Sequence, residues 1–138
     1  MNPKDQIKKF KSQILKILDI NAPISIRLKK IDDIAEFNLE YSGGNTTREV
    51  LLNPVVLKSW NAEAVFYILF HELVHYKVFL HYVENKEYEG LQAMFDTFGR
   101  GVHQEIAHGA LFDHFMELCP VSDSEYFKFK SQVAETGW

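Results

Sequence analysis

The stretch FHELVHY, residues 70–76, sets His71 and His75 four residues apart, with Glu72 directly after the first histidine. On an α-helix such a pair is separated by about 40° of rotation and about 6 Å of rise, so both imidazoles face the same way. Two neutral imidazoles so placed can converge on one Zn2+ ion, each through a nitrogen about 2.0–2.1 Å from the metal. Glu72 lies about 100° around the helix from His71, beside the ligand line and within reach of a water at the metal. Metal-assisted hydrolysis needs this division of labour, in which two side chains hold the ion and a neighbouring base accepts the proton of water. The plain alternative is three polar residues sharing a core helix. The flanks weigh against it, because Ala64–Phe70 and Val78–Leu80 are apolar and burying three titratable groups without partners is costly.

A catalytic zinc usually keeps three protein ligands and one open position. The candidates for the third are His81, His103, Glu105, His108 and His114. His81 completes HExxHxxxxxH, the histidine spacing of metzincins, which needs the helix to turn sharply three residues after the second histidine. That position is Val78, and a β-branched residue is poorly suited to positive φ. In a continuing helix His81 falls about 9 Å further along and about 120° around from His75, away from the ion. His108 opens a stripe with Phe112, Phe115 and Cys119, so a second helix packed on the first would carry it towards the metal.

The elements that must position these residues can be read along the chain. Apolar Ile7, Phe10, Ile14, Ile17 and Leu18 recur at helical spacing over residues 1–20, with Lys4, Lys8, Lys9, Lys11 and Lys16 among the polar positions. Asn21-Ala-Pro23 is expected to break that helix. Residues 24–52 alternate as strands, at Ile24, Ile26 and Leu28 and again at Ala35, Phe37, Leu39 and Tyr41. Ser42-Gly-Gly-Asn45 turns the chain into TTREVLL. Pro54 suits a short helix. Asn61 is the expected N-cap of the zinc helix, 61–83. A helix over 102–119, with Ile106, Leu111, Phe112, Phe115 and Leu118 apolar, ends at Pro120, and Ser122 caps a last helix to 135. The expected fold is α+β: a small antiparallel, three-stranded sheet packed on the HExxH helix, with further helices, zincin-like.

Three stretches in this order resemble the SprT-like (Spartan-type) zinc metallopeptidase domain: EVLLNPVVLKSW (49–60), AVFYILFHELVHYKVF (64–79) and HGALFDHFMEL (108–118). The last is similar to the family's His-Gly-x-x-Phe segment, whose histidine is the third zinc ligand. The resemblance implies one zinc ion on His71, His75 and His108, Glu72 as catalytic base, and a protein or peptide substrate. It also implies association with DNA, which the cysteine ribbon or tail carried by many members is not here to support. The whole chain, 1–138, is then expected to be one SprT-like domain.

Composition bounds the rest. At 138 residues, 46% apolar and 14% aromatic, the chain is long enough for one real core. A net charge of −4 lacks the global footprint of a nucleic-acid binder. The lysines of the first helix form a local basic face able to meet phosphate or acidic protein, with a solvated surface as the plainer alternative. One cysteine, Cys119, excludes an intrachain disulfide framework. The start MNPKDQIKKFKSQ has no apolar signal region, and the longest apolar run is interrupted by His71, Glu72, His75 and Lys77. A cytoplasmic protein with no membrane span is expected. The expected activity is metalloendopeptidase, and the alternative is a non-catalytic, zinc-stabilised protein- or nucleic-acid-binding module in which Glu105 or His103 closes a four-ligand shell. His103, His114, Tyr82 and Tyr88 are candidate oxyanion donors. Asp113, Glu105 and Asp96 are candidates to orient the zinc-bound histidines.

Overall fold

The computed structural model describes residues 2–42, 45–58, 60–84 and 110–135. Helix α1 spans Pro3–Ile17, opened by Asn2, whose side chain accepts from the Asp5 N–H. It does not wait for Pro23 to end. Asp19 takes a left-handed φ of 54°, and the Ile20 N–H returns to the Leu15 carbonyl at 2.9 Å. Aspartate tolerates that conformation better than most residues, and the reversal sends Ile20 into the core.

Three strands follow: β1 (Ser25–Leu28), β2 (Ala35–Ser42) and β3 (Asn45–Leu52). Their order is β1-β3-β2, so β3 is central and the other two are edges. β2 and β3 form the expected antiparallel hairpin, with Phe37 opposite Val50 and Ala35 opposite Leu52. β1 pairs with β3 in parallel, Ser25 to Glu49 through Leu28 to Leu52, which makes the sheet mixed where an antiparallel one is expected. The chain reverses between β1 and β2 and again at the hairpin, so β1 and β3 run the same way. Alternation within a strand reports which side is buried and carries no information on the direction of the neighbour.

A 3₁₀ turn, Pro54–Leu57, leads to α2 (Ala62–Glu84). The Asn61 side chain accepts from the Ala64 N–H at 3.1 Å, the expected N-cap. α2 is the axis of the molecule. Val65, Leu69, Phe70, Leu73, Val74 and Val78 are all fully buried, and a helix apolar nearly all round must be covered on every side. The sheet, α1, α3 (Ala110–Met116) and α4 (Asp123–Glu135) cover it. Phe37 of β2 packs on Tyr76 with ring centres 5.4 Å apart, and Arg48 of β3 donates from Nε to the Tyr76 hydroxyl at 2.8 Å. These contacts fix the rotation of α2 on the sheet one residue from His75. Among the described residues no helix is long and apolar enough to cross a membrane.

α3 is shorter than the amphipathic pattern predicts at its C-terminal end. The chain tightens after Met116, with the N–H groups of Leu118 and Cys119 bonding to the carbonyls of Phe115 and Met116. Leu118, expected at an apolar position of the helix, lies beyond it and is exposed. Pro120 cannot donate to a continuing helix, and the last turn closes before it.

Candidate active site

α2 runs unbroken through Val78, which is fully buried. His71 and His75 therefore share one face, with ring centres 5.1 Å apart and ring planes at 78°. Two imidazoles on one tetrahedral zinc, bonded at about 2.0–2.1 Å with each ring centre about 1.1 Å behind its nitrogen, have centres roughly 5.2 Å apart. The pair is spaced as the ion would need it. Phe112 of α3 packs edge-on to His71 and tilted on His75, its centre 4.9 Å from each ring. This buried phenylalanine packs against both imidazoles. His75 is itself buried, whereas His71 is half-buried.

On the other side of His71 lies a cavity of about 240 Å³. α2 contributes Ile68, His71 and Glu72 to its wall, the start of β2 contributes Asp33, Ile34 and Ala35, and α4 contributes Tyr126. The Glu72 carboxylate looks into it and accepts a hydrogen bond from the Phe37 backbone N–H. Burial, helped by the nearby carboxylates of Asp33 and Glu36, pushes Glu72 up to about 8, against a smaller downward pull from that hydrogen bond. The charges of Asp33 and Glu36 reach Glu72 and favour its neutral form, and a divalent cation beside the imidazoles would favour the charged carboxylate instead. Tyr126 is held in place from behind. Its ring stacks on Tyr67 at 4.9 Å, and the Tyr67 hydroxyl donates to Asp123 Oδ1 at 2.7 Å, pinning α4 to α2. Burial, then the charges of Asp33 and Glu72, raises the Tyr126 phenol above its ordinary range, so it remains a proton donor.

Of the residues singled out by sequence, the structure brings together His71, Glu72 and His75. His81 lies six residues further along the same continuous helix, turned away from the pair. His114 and Asp113 are exposed on α3, and two residues after Phe112 is the far side of a helix that faces the histidines through that ring. His108, His103, Glu105, Tyr88 and Asp96, with the side chain of Tyr82, lie outside the described residues. Among the described residues no group of three or more His, Cys, Asp or Glu side chains is arranged to hold a metal. Tyr126, Asp33 and the Phe37 N–H are the site components sequence alone does not single out. The only hint is the Tyr126-Phe127 doublet, in which the tyrosine faces inward and Phe127 is 61% exposed.

No protein-family model matches the chain. It is 36% identical over 78 residues, 56% of its length, to the protein MJ0123 of Methanocaldococcus jannaschii. The chain spans 64% of that relative's length. Among solved structures it is similar to the crystal structure of the metallopeptidase zymogen of Methanocaldococcus jannaschii jannalysin. The TM-score is 0.55 with 23% sequence identity, and the alignment covers 95% of this chain and 89% of that one. The likeness is one of fold: α+β, with a three-stranded sheet against a long central helix.

Proposed function

We propose that this chain is a zinc metalloendopeptidase of the HExxH type, holding one zinc ion and cleaving peptide bonds. The observation that carries the reading is the joint placement of His71, His75 and Glu72. The two imidazoles stand at the separation one tetrahedral ion requires, and the carboxylate opens onto the cavity next to them. The shared fold of a metallopeptidase zymogen supports it. The resemblance to SprT-like domains assigns the third ligand to His108, four residues before Phe112, the ring that touches both histidines. Glu105 is the rival in the same stretch.

A zinc ion at this place supplies Lewis acidity towards a peptide carbonyl and towards water. The chain supplies the rest. Glu72 takes a proton from the attacking water and returns it to the leaving nitrogen, with the Phe37 N–H steering its carboxylate. Tyr126 donates its phenolic hydrogen to the carbonyl oxygen as negative charge grows there. Phe112 keeps the imidazoles dry and fixed, so that little reorganisation accompanies the reaction.

The test is metal analysis of purified protein together with cleavage of unfolded casein and of fluorogenic peptides. One zinc per chain and cleavage are expected. Glu72→Gln is expected to keep its zinc and lose cleavage. His108→Ala is expected to lose zinc, and Glu105→Ala to retain it. Full zinc in a His71→Ala/His75→Ala double variant, or undiminished cleavage by Glu72→Gln, would overturn the proposal. The reverse result for His108 and Glu105 would move the third ligand to Glu105.

A further inference from the structure

The opposite edge of the sheet from Glu72 is formed by β1. A half-open groove of about 440 Å³ runs between α1 and β1. All four residues of β1, Ser25 to Leu28, line it in succession, facing Lys4, Ile7, Lys8 and Lys11 of α1. Successive strand residues point to alternate faces, so a groove touched by all four runs along the strand's edge. Among the described residues that edge is open, because β1 is terminal in the sheet and pairs with β3 on its other side. Lys4, Lys8 and Lys11 lie within about 60° of one another around α1, whereas Lys9 and Lys16 project about 115–135° from the centre of that set. The lysines thus fall into two sets, and one set belongs to the groove.

Its length suits a strand. Lys4 to Lys11 spans about 10 Å of helix, and four residues of β1 span about 13 Å. At one end the Lys11 ammonium donates to the Ile24 carbonyl at 3.0 Å, which closes the groove and leaves that group with further N–H donors. Arg27 is engaged by Glu49 at 3.2 Å. The floor is Ile7, Ile26 and Leu28, no carboxylate is among the described residues that line it, and the two remaining ammoniums of Lys4 and Lys8 are exposed on its rim. This local cationic surface stands on a chain whose net charge is −4.

We propose that the groove is a docking site for an extended, acidic peptide segment of a partner protein, which adds a strand to β1. Its backbone would bond to the open edge, the side chains on the face it shares with Ile26 and Leu28 would carry carboxylates to Lys4, Lys8 and Lys11, and the alternate side chains would point to the other face of the sheet. Among the described residues no aromatic ring lines the groove to stack a nucleobase, which favours peptide over nucleic acid. The site is independent of the proposed peptidase chemistry and lies on the far edge of the sheet from Glu72.

The test is fluorescence anisotropy of a fluorescein-labelled ten-residue peptide of alternating valine and glutamate, against the full chain. Saturable binding that weakens with salt is expected. Lys4→Glu/Lys8→Glu should weaken it at least tenfold, while Lys9→Glu/Lys16→Glu, an equal change in net charge, should leave it within twofold. N-methylation of alternate peptide nitrogens should abolish binding in one of its two registers, because an added strand needs its N–H groups. Equal loss in both lysine pairs would overturn the proposal in favour of diffuse attraction, as would tighter binding of a single-stranded oligonucleotide through the same lysines. Lack of peptide binding, together with self-association of Lys4→Glu/Lys8→Glu, would overturn it in favour of lysines that merely guard a bare edge.

Discussion

The two edges of this small sheet carry opposite chemistry. The start of β2 faces α2 and α4 across a cavity where Asp33 and Glu72 meet His71, close to Glu36. β1 faces α1 across a groove rimmed by Lys4, Lys8 and Lys11. Three strands put those edges only about 10 Å apart, yet the charges do not mix, because the apolar core seated on α2 lies between the helices that define each site. The difference teaches how a sheet of minimal width serves two purposes. The β2 side is enclosed and polar, and burial perturbs its titratable groups. The β1 side is open, apolar at its floor and solvated at its rim. Enclosure suits chemistry on a bond, since electrostatic interactions gain strength out of water. An open edge suits recognition of a backbone.

Removing the metal should separate the two edges most completely. Dialysis against a chelator is expected to abolish peptide cleavage and to leave groove binding of the valine–glutamate peptide intact, with zinc restoring cleavage; joint loss of both would merge the two sites into one. Next in size is Glu72→Gln, for which kcat should fall by about 10²–10⁴ at unchanged zinc content, as read by steady-state cleavage of a fluorogenic peptide. Phe112→Ala removes a buried ring that holds both histidines and should cost about 3–5 kcal/mol in urea unfolding of the metal-free protein, with weaker zinc retention in the bound form. Tyr126→Phe removes only a hydroxyl. If that group meets developing charge, kcat falls by about 10²–10³ with KM little changed; a fall in stability with kcat preserved would make Tyr126 a packing residue. A smaller effect belongs to Tyr67→Phe, which deletes the hydrogen bond to Asp123 and should cost about 1 kcal/mol or somewhat more by thermal unfolding, since its partner is charged. Lys4→Glu/Lys8→Glu should leave cleavage of a short uncharged peptide unaltered.

Much of the β2 side was legible in the sequence. His71, Glu72 and His75 are local to one helix, and helical spacing alone gives their shared face. Val78 predicted that the helix would continue past the pair, and it does. The Asn61 cap, the alternation in β2 and the Ser42–Asn45 turn are also local signals, and each has its counterpart in the fold. What was not legible involves residues far apart in sequence. Tyr126 stands 54 positions after Glu72, and Asp33 stands 39 before it; neither spacing has a periodicity to betray it. The parallel pairing of β1 depended on where a strand returns after the hairpin, which its own residues do not specify. Nor did the amphipathic stripe through Leu118 show that the helix would tighten after Met116, ahead of Pro120.

The sequence by itself determined the central helix, the pair of histidines on one of its faces and the glutamate beside them, because those relations repeat within a few residues at a fixed 3.6-residue period. It also determined that one helix face near the N-terminus would be basic. Only the tertiary structure decided what each feature confronts. Phe112 set the two imidazoles side by side, β2 and α4 enclosed Glu72, and β1 turned three of five lysines into the rim of a groove. Those contacts arise from packing between elements distant in the chain, where burial and charge are set by neighbours that no local pattern names.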